Sequence, residues 1–278
     1  MPDSIEILHY VQNDKSSSAS LDAPPRVGVG ACLLGRNTRY DGGNRLDPVI
    51  VEIVGAVVEL VPVCPEMEIG MGSPRPPIRL VEGPEGLRAR GVDDPAVDVT
   101  DALREAGRRQ TGLSGFILKS RSPSCGSGDT EVFSPGGWLA SSADYGVFAR
   151  SIMDATPLLP MEDETALRYM ARRNAFLLRV FVYDGWMGVA NGGDAAFGVF
   201  VEKTDFARNA LDGKTRQYLD SLVGRARKEG GMEACAKYAA AFLTALREAP
   251  AEGSLRDAAD RAVSLLALRK QIVSNDGR

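Results

Sequence analysis

The chain has 278 residues, a formal net charge of −4 and a hydrophobic fraction of 44%, a composition typical of a globular protein with a sizeable core. The acidic balance excludes a global positive field, so we expect no binding to long nucleic acids or to anionic membranes. No apolar run approaches the ~20 residues of a membrane span, and the N-terminus lacks a secretory signal pattern, so we expect a cytoplasmic, reducing location.

The first part of the chain alternates between short apolar runs and helical periods. Residues 1–25 are polar and Ser-rich and are predicted to be a flexible extension. The pattern after them predicts strands at 27–33, 58–63, 115–119 and 156–160, a hairpin within 78–90, and helices at 46–56, 101–110 and 144–155. This alternation favours an α/β domain over 26–162, with a parallel sheet between two helical layers.

The second part of the chain shows helical periods only. Apolar stripes recur through residues 163–278 at spacings of three and four, which predicts an all-α domain. The Gly-rich stretch 189–198, "VANGGDAAFG", is predicted to interrupt these helices.

Three of the four cysteines follow predicted parallel strands. Cys32 comes after "VGVGA", Cys64 after "VELVPV" and Cys125 just past "GFILK". Because the carboxyl ends of parallel strands meet at one edge of a sheet, we expect these three side chains to lie close together. Cys235 falls on an amphipathic stripe with Tyr238, which predicts a core residue instead.

Three converging thiolates select zinc or an iron–sulfur cluster. The chain has a single histidine, His9, and no CxxC, which disfavours a histidine-based site or a thiol–disulfide enzyme. A structural zinc would need a fourth ligand, for which Cys235 is the candidate. A 4Fe–4S cluster on three cysteines keeps one iron open as a Lewis acid. A zinc- or cluster-stabilised module for binding or sensing is the alternative to an enzyme.

The motifs "ACLLGRNTRYDGG", "PVCPEMEIGMGSPRPP" and "LKSRSPSCGSG" resemble those of the thiouracil desulfidase family. Residues from about 165 resemble, more weakly, a helical domain of unknown function that is often fused behind it. The resemblance implies a 4Fe–4S cluster on Cys32, Cys64 and Cys125. It also implies non-redox removal of sulfur from a thiolated pyrimidine base such as 2-thiouracil, giving uracil and hydrogen sulfide. The stretch "DTEVFSPGGW" departs from the family's shorter Gly-rich pattern.

Such a reaction needs proton transfer, and Glu66 in "CPE" is the predicted acid–base residue. Ser122 and Ser124 are further catalytic candidates, because a hydroxyl can position substrate or water. The alternative for all three is the capping of a local turn.

Arg75, Arg121 and Tyr40 are the predicted substrate-binding residues. A guanidinium can hold an anionic ring or donate to its carbonyl group, and the alternative for each arginine is a solvated or fold-supporting role. The expected partner is a small thiolated base, and the sequence leaves the oligomeric state open.

Overall fold

The computed structural model describes residues 23–276, so the predicted flexibility of 1–25 falls almost entirely outside the described residues. Strands and helices alternate up to residue 167, and helices alone follow. The strands are β1 Arg26–Gly30, β2 Glu59–Val63, β3 Ile78–Val81, β4 Arg88–Gly91, β5 Gly115–Leu118, β6 Ser127–Phe133, β7 Leu139–Tyr145 and β8 Met161–Asp163. The α-helices are α1 Pro65–Glu68, α2 Thr100–Arg108, α3 Val147–Ala155, α4 Glu164–Leu167, α5 Met170–Lys203, α6 Asp205–Asn209, α7 Gly213–Glu229, α8 Met232–Glu248 and α9 Ser254–Asp276.

Strands β1, β2, β5 and β8 form a parallel sheet in the order β2-β1-β5-β8. All three strand pairs in it are parallel, which confirms the predicted parallel sheet. The fourth strand is Met161–Asp163, so the strand predicted at 156–160 is wrong. Pro157 and Pro160 lack the backbone donors that a strand interior needs, and the backbone turns there, with Leu159 N donating to Thr156 O at 3.0 Å.

A second, mixed sheet has the order β4-β3-β6-β7. It contains the predicted hairpin, since β3 and β4 pair antiparallel. The hairpin of β6 and β7 was not predicted. Residues 139–143 are all exposed, so β7 has no apolar alternation that could have signalled a strand.

Helices cover both faces of the parallel sheet. On one face Phe116 of β5 packs edge-on against Phe148 of α3, with ring centroids 5.8 Å apart. On the other face Gly115 lies against α5, because a Cβ at this glycine would come within 2.8 Å of Val180. The three-layer α/β arrangement is confirmed, and the second outer layer is supplied by the first long helix of the C-terminal region.

The C-terminal region is all-α, as predicted. Helix α5 runs unbroken through 34 residues, so the predicted interruption at 189–198 is wrong. Val189 and Phe197 are both buried, and their burial outweighs the cost of about 1 kcal/mol that each helical glycine carries.

Among the described residues, no helix is both long and apolar enough to cross a membrane. The predicted boundary between residues 162 and 163 and the cytoplasmic location remain predictions.

Two further elements prepare the cysteine positions. Strand β1 ends at Gly30, earlier than predicted, and continues as a 3-10 helix over Ala31–Leu34 that carries Cys32. The helix predicted at 46–56 is a π-helix over Val49–Val54.

Candidate active site

The carboxyl ends of β1, β2 and β5 open into a cavity of about 570 Å³ that is lined by Cys32, Cys64 and Cys125. We call it the cysteine cavity. Among the described residues, its lining comes entirely from residues 30–125. The structure thus brings together three cysteines that are separated by 32 and 61 residues in the sequence, at the sheet edge where ligands collect in α/β proteins.

The three thiols lie in a desolvated setting, and none is in a disulfide. Burial raises the pKa of Cys64 to about 11, and the neighbouring Glu66 carboxylate adds to the increase. Burial also raises the pKa of Cys125, again with a contribution from Glu66. The pKa of Cys32 is raised by burial too, but the cations of Lys119 and Arg39 oppose the increase. A metal centre bound here must therefore displace thiol protons.

Tight turns hold the cysteines in place. The 3-10 helix that carries Cys32 ends at Gly35, whose φ of 81° lies in the left-handed region that favours glycine. On the third loop, Ser122 Oγ accepts hydrogen bonds from Cys125 N at 3.2 Å and from Cys125 Sγ at 3.4 Å. At the next position, a Cβ on Gly126 would lie 2.6 Å from Ser122 O. The chain can fold back at this point because residue 126 has no side chain.

Comparison with known proteins places this region in a family. The model of the 2-thiouracil desulfurase family matches residues 27–164. The uncharacterized protein YbbK of Bacillus subtilis is 34% identical over 110 residues, which cover 36% of this chain and 72% of YbbK. The chain belongs to the 2-thiouracil desulfurase family. A solved structure of TudS, a 4Fe–4S-dependent thiouracil desulfidase, is 26% identical, and the match covers 52% of this chain and 93% of TudS with a TM-score of 0.42.

In this member of the desulfurase family, Glu66 lies beside the second cysteine. Its carboxylate is buried, and Oε2 accepts a hydrogen bond from Cys64 Sγ at 3.4 Å. Oε1 lies 3.5 Å from Arg75 Nη2. Glu66 comes from the first turn of α1, directly after β2, so the strand end places both the sulfur and the carboxylate on the cavity.

Arg75 lines the cavity, but much of its guanidinium is committed to the protein. Its Nη1 donates to Thr38 O and to Gly72 O, each at 2.8 Å. Because Thr38 O also lies 3.7 Å from Cys64 Sγ, Arg75 joins the first loop to the second cysteine. Arg75 was predicted to bind substrate. Its contacts support a second role, which is to hold the Glu66 carboxylate and the Thr38 backbone in place.

Tyr40 and Arg121 also line the cavity, and both are exposed to solvent. The Tyr40 side chain is 47% exposed, and the Arg39 guanidinium lies 5.4 Å from its ring centroid. Arg121 has a φ of 60°, and its backbone N–H donates to Asp129 Oδ1 at 2.8 Å. These two predicted substrate-binding residues are placed where a ligand in the cavity meets solvent.

The two serines are placed differently. Ser122 lines the cavity and supports Cys125. Ser124 is fully buried, is absent from the described lining, and its carbonyl accepts from Ala149 N of α3 at 3.1 Å. The structure therefore does not bring Ser124 to the described lining, because the backbone at this residue is packed against the first turn of α3.

The sequence reasoning missed three residues at this site. Thr38 lines the cavity, and its Oγ1 is buried with no hydrogen-bond partner among the described residues. Lys119 also lines the cavity, and its ammonium contacts the buried carboxylate of Glu164, 45 residues further along the chain. The position of Lys119, directly after a buried strand, was a usable signal. Nothing local marks Glu164 or the hydroxyl of Thr38.

Proposed function

We propose that this chain is an enzyme that removes sulfur from a thiolated pyrimidine base such as 2-thiouracil, giving the oxygen analogue and hydrogen sulfide. The observation that carries the proposal is the meeting of Cys32, Cys64 and Cys125 in one cavity, within the segment that matches the 2-thiouracil desulfurase family. The reaction exchanges a C=S group and water for a C=O group and H₂S, so it transfers no electrons overall.

The donor set of the cavity fits a 4Fe–4S cluster. Thiolates are the ligands that such clusters take from proteins. Among the described residues, no three His, Cys, Asp or Glu side chains are grouped to hold a single metal ion. Cys235 packs in the helical core and is absent from the described lining, so it supplies no fourth ligand of the kind a structural zinc needs. Three thiols on one cavity are the donor set that a 4Fe–4S cluster takes from a protein.

Charge favours the same guest. The described lining carries basic side chains and the carboxylate of Glu66. The basic residues are Arg39, Arg45, Arg75, Lys119 and Arg121. In an oxidised cluster with three thiolates, the thiolate charges outweigh the positive charge of the core, so the assembly is anionic and a cationic surrounding stabilises it.

When bound to Cys32, Cys64 and Cys125, a cluster of this kind supplies a Lewis-acidic iron with an open coordination position. The residues of this chain supply binding and proton transfer. Glu66 lines the cavity and is the proposed acid–base residue. When the substrate binds as its ring-deprotonated thiolate, Glu66 takes one proton from water and returns it to the pyrimidine ring nitrogen, and the other water proton leaves with the sulfur as HS⁻, which solvent protonates to hydrogen sulfide. Arg75 holds the Glu66 carboxylate in place, and Ser122 supports Cys125. Tyr40 and Arg121 are proposed to contact the ring at the exposed side.

The experiment is anaerobic purification followed by iron, zinc and acid-labile sulfide analysis, and then measurement of hydrogen sulfide release from 2-thiouracil. We expect iron, sulfide and turnover. A colourless protein that contains zinc would support the binding module instead, and a cluster without turnover would support a sensor.

The role of Glu66 is tested by Glu66→Gln, which we expect to retain the cluster and lower kcat by about 10²–10⁴-fold. The matched control is Glu68→Gln, because Glu68 lies on the same helix turn, is exposed and is absent from the described lining. Equal activities of the two variants would remove Glu66 from the mechanism.

A further inference from the structure

The buried pair of Lys119 and Glu164 is the feature of the cavity that the proposed function leaves unused. Lys119 follows β5 and lines the cavity. Glu164 is the first residue of α4, and its side chain is only 6% exposed. Lys119 Nζ lies 2.5 Å from Glu164 Oε1. A lysine and a glutamate therefore meet beside the cysteines from two neighbouring strands of the parallel sheet.

The carboxylate of Glu164 is clamped on both oxygens. Besides Lys119, Oε1 accepts from Ser120 Oγ at 2.7 Å, and Oε2 accepts from Ser120 N at 2.8 Å. Lys119 Nζ in turn donates to Ser120 O at 3.1 Å and contacts Ser120 Oγ at 3.0 Å. With so many partners supplied by the protein, the ammonium is held in one place and is poorly suited to bind a mobile ligand. What the Lys119 ammonium can supply to the cavity is a positive charge at a fixed position.

Lys119 and the first cysteine line the same cavity from neighbouring strands. The parallel register pairs Val29 of β1 with Ile117 of β5, so Lys119 comes level with the residues that lead into Cys32. A Cβ placed on Gly30 would lie 3.7 Å from Lys119 Cβ. The pair is neutral as a whole, but Lys119 lines the cavity together with Cys32, whereas Glu164 is absent from the described lining. The positive end of the pair is therefore the end that a guest in the cavity meets.

We propose that Lys119 is a positioning residue for the cluster: Glu164 and Ser120 fix its ammonium beside Cys32, where it stabilises the negative charge of the bound cluster and its thiolates. This inference rests on the proposed function, since it requires a cluster in the cavity. The cluster becomes more negative when it accepts an electron, so a fixed cation favours its reduced form. Lys119 therefore raises the reduction potential of the cluster and slows the loss of iron.

The test compares variants prepared without oxygen. Lys119→Met removes the charge and keeps most of the side-chain volume, but it leaves Glu164 buried without its cation. The double variant Lys119→Met/Glu164→Gln removes both charges and avoids that penalty. The control is Arg179→Met/Glu162→Gln, a partly buried ion pair at 3.5 Å that also involves β8 but is absent from the described lining of the cavity. The variant Lys119→Arg keeps a cation at this position and is compared with Lys119→Met.

The readouts are the reduction potential of the cluster and the rate at which a chelator removes its iron. We expect the double variant at Lys119 and Glu164 to have a more negative potential and several-fold faster iron loss than the wild type. We expect the control pair to keep both values, and Lys119→Arg to return the potential towards that of the wild type.

Two outcomes overturn different statements. If the wild type contains no iron–sulfur cluster, the proposed function is wrong and this inference falls with it at the first measurement. If the wild type has a cluster but the double variant keeps its potential and iron-loss rate, Lys119 is only a fold contact and this inference alone is wrong.

Discussion

The cysteine cavity and the helical core each contain a buried cysteine, and their surroundings differ. Cys125 is 7% exposed and Cys235 is 1% exposed, so burial does not separate them. Cys125 lies on a turn, has a serine oxygen at hydrogen-bond distance and lines an open cavity. Cys235 lies on α8 among buried residues such as Ala236, Tyr238 and Ala239. The proposed cluster ligand is distinguished here by the open cavity that it lines, and not by how deeply it is buried.

The two regions nevertheless depend on each other. Helix α5 of the C-terminal region forms one outer layer of the parallel sheet, where Phe176 and Val180 face Gly115. Near the end of α9, Lys270 Nζ donates to the carbonyl oxygens of Gly55 and Val58, which lie between the π-helix and β2. The helical region therefore covers one face of the parallel sheet and contacts the segment that leads into β2. The cysteines lie at the other end of the strands.

The largest expected effect comes from separating the regions. A chain that ends at residue 168 leaves one face of the parallel sheet uncovered, including apolar side chains that each contribute about 1.5–3 kcal/mol when fully buried. We expect it to be insoluble or to lack a cooperative unfolding transition, as measured by circular dichroism during heating. A shortened chain that unfolds cooperatively with the wild-type midpoint would show that the α/β part has an independent core.

The next largest effect distinguishes the four sulfurs. Cys32→Ala, Cys64→Ala and Cys125→Ala are each expected to lose the cluster and reduce hydrogen sulfide release to background, because each removes one proposed ligand. Cys235→Ala is the matched control. It should retain iron, sulfide and activity, and lower the free energy of unfolding by about 1 kcal/mol. Loss of iron from the Cys235 variant, with iron retained in the other three variants, would contradict this assignment of the ligands.

A smaller effect is expected at Arg75. Arg75→Met removes two hydrogen bonds to backbone carbonyls and the cation beside Glu66, which costs about 1–3 kcal/mol of stability. We expect activity to fall while the cluster remains, because Glu66 loses its fixed orientation. The control is Arg79→Met, since Arg79 stacks 5.1 Å from the Phe133 ring centroid in the mixed sheet. A Michaelis constant that rises with kcat unchanged would assign Arg75 to substrate binding instead.

The smallest effect is expected at Lys270. Lys270→Met removes the donor to two carbonyl oxygens at the junction of the regions, and we expect it to lower the free energy of unfolding by about 1–2 kcal/mol. Iron content and turnover should stay at the wild-type level, because the contact lies away from the cysteine cavity. Denaturant unfolding and the desulfuration assay measure the two quantities on the same sample. A loss of turnover at full stability would show that the junction communicates with the cavity.

Much of the site was predictable because its elements are local. Short apolar strands followed by small, turn-forming residues marked the positions of Cys32, Cys64 and Cys125. Glu66 was predictable for the same reason, since it lies two residues after Cys64. The hairpin of β6 and β7 was not predictable, because its outer strand is exposed and has no apolar period. The continuity of the long helix α5 was not predictable either. Its glycines suggested an interruption, but the burial of its apolar side chains keeps the helix unbroken.

The sequence by itself determined the parallel α/β order, the helical second part and the edge of the sheet on which three cysteines lie, because these follow from apolar period and chain direction. Only the tertiary structure decided which polar groups meet there. The Ser124 carbonyl accepts a hydrogen bond from α3, the Arg75 guanidinium donates to carbonyl groups, and Lys119 meets a glutamate 45 residues away. Each of these outcomes depends on how distant segments approach one another, and the free energy of such contacts leaves no periodic mark in the sequence.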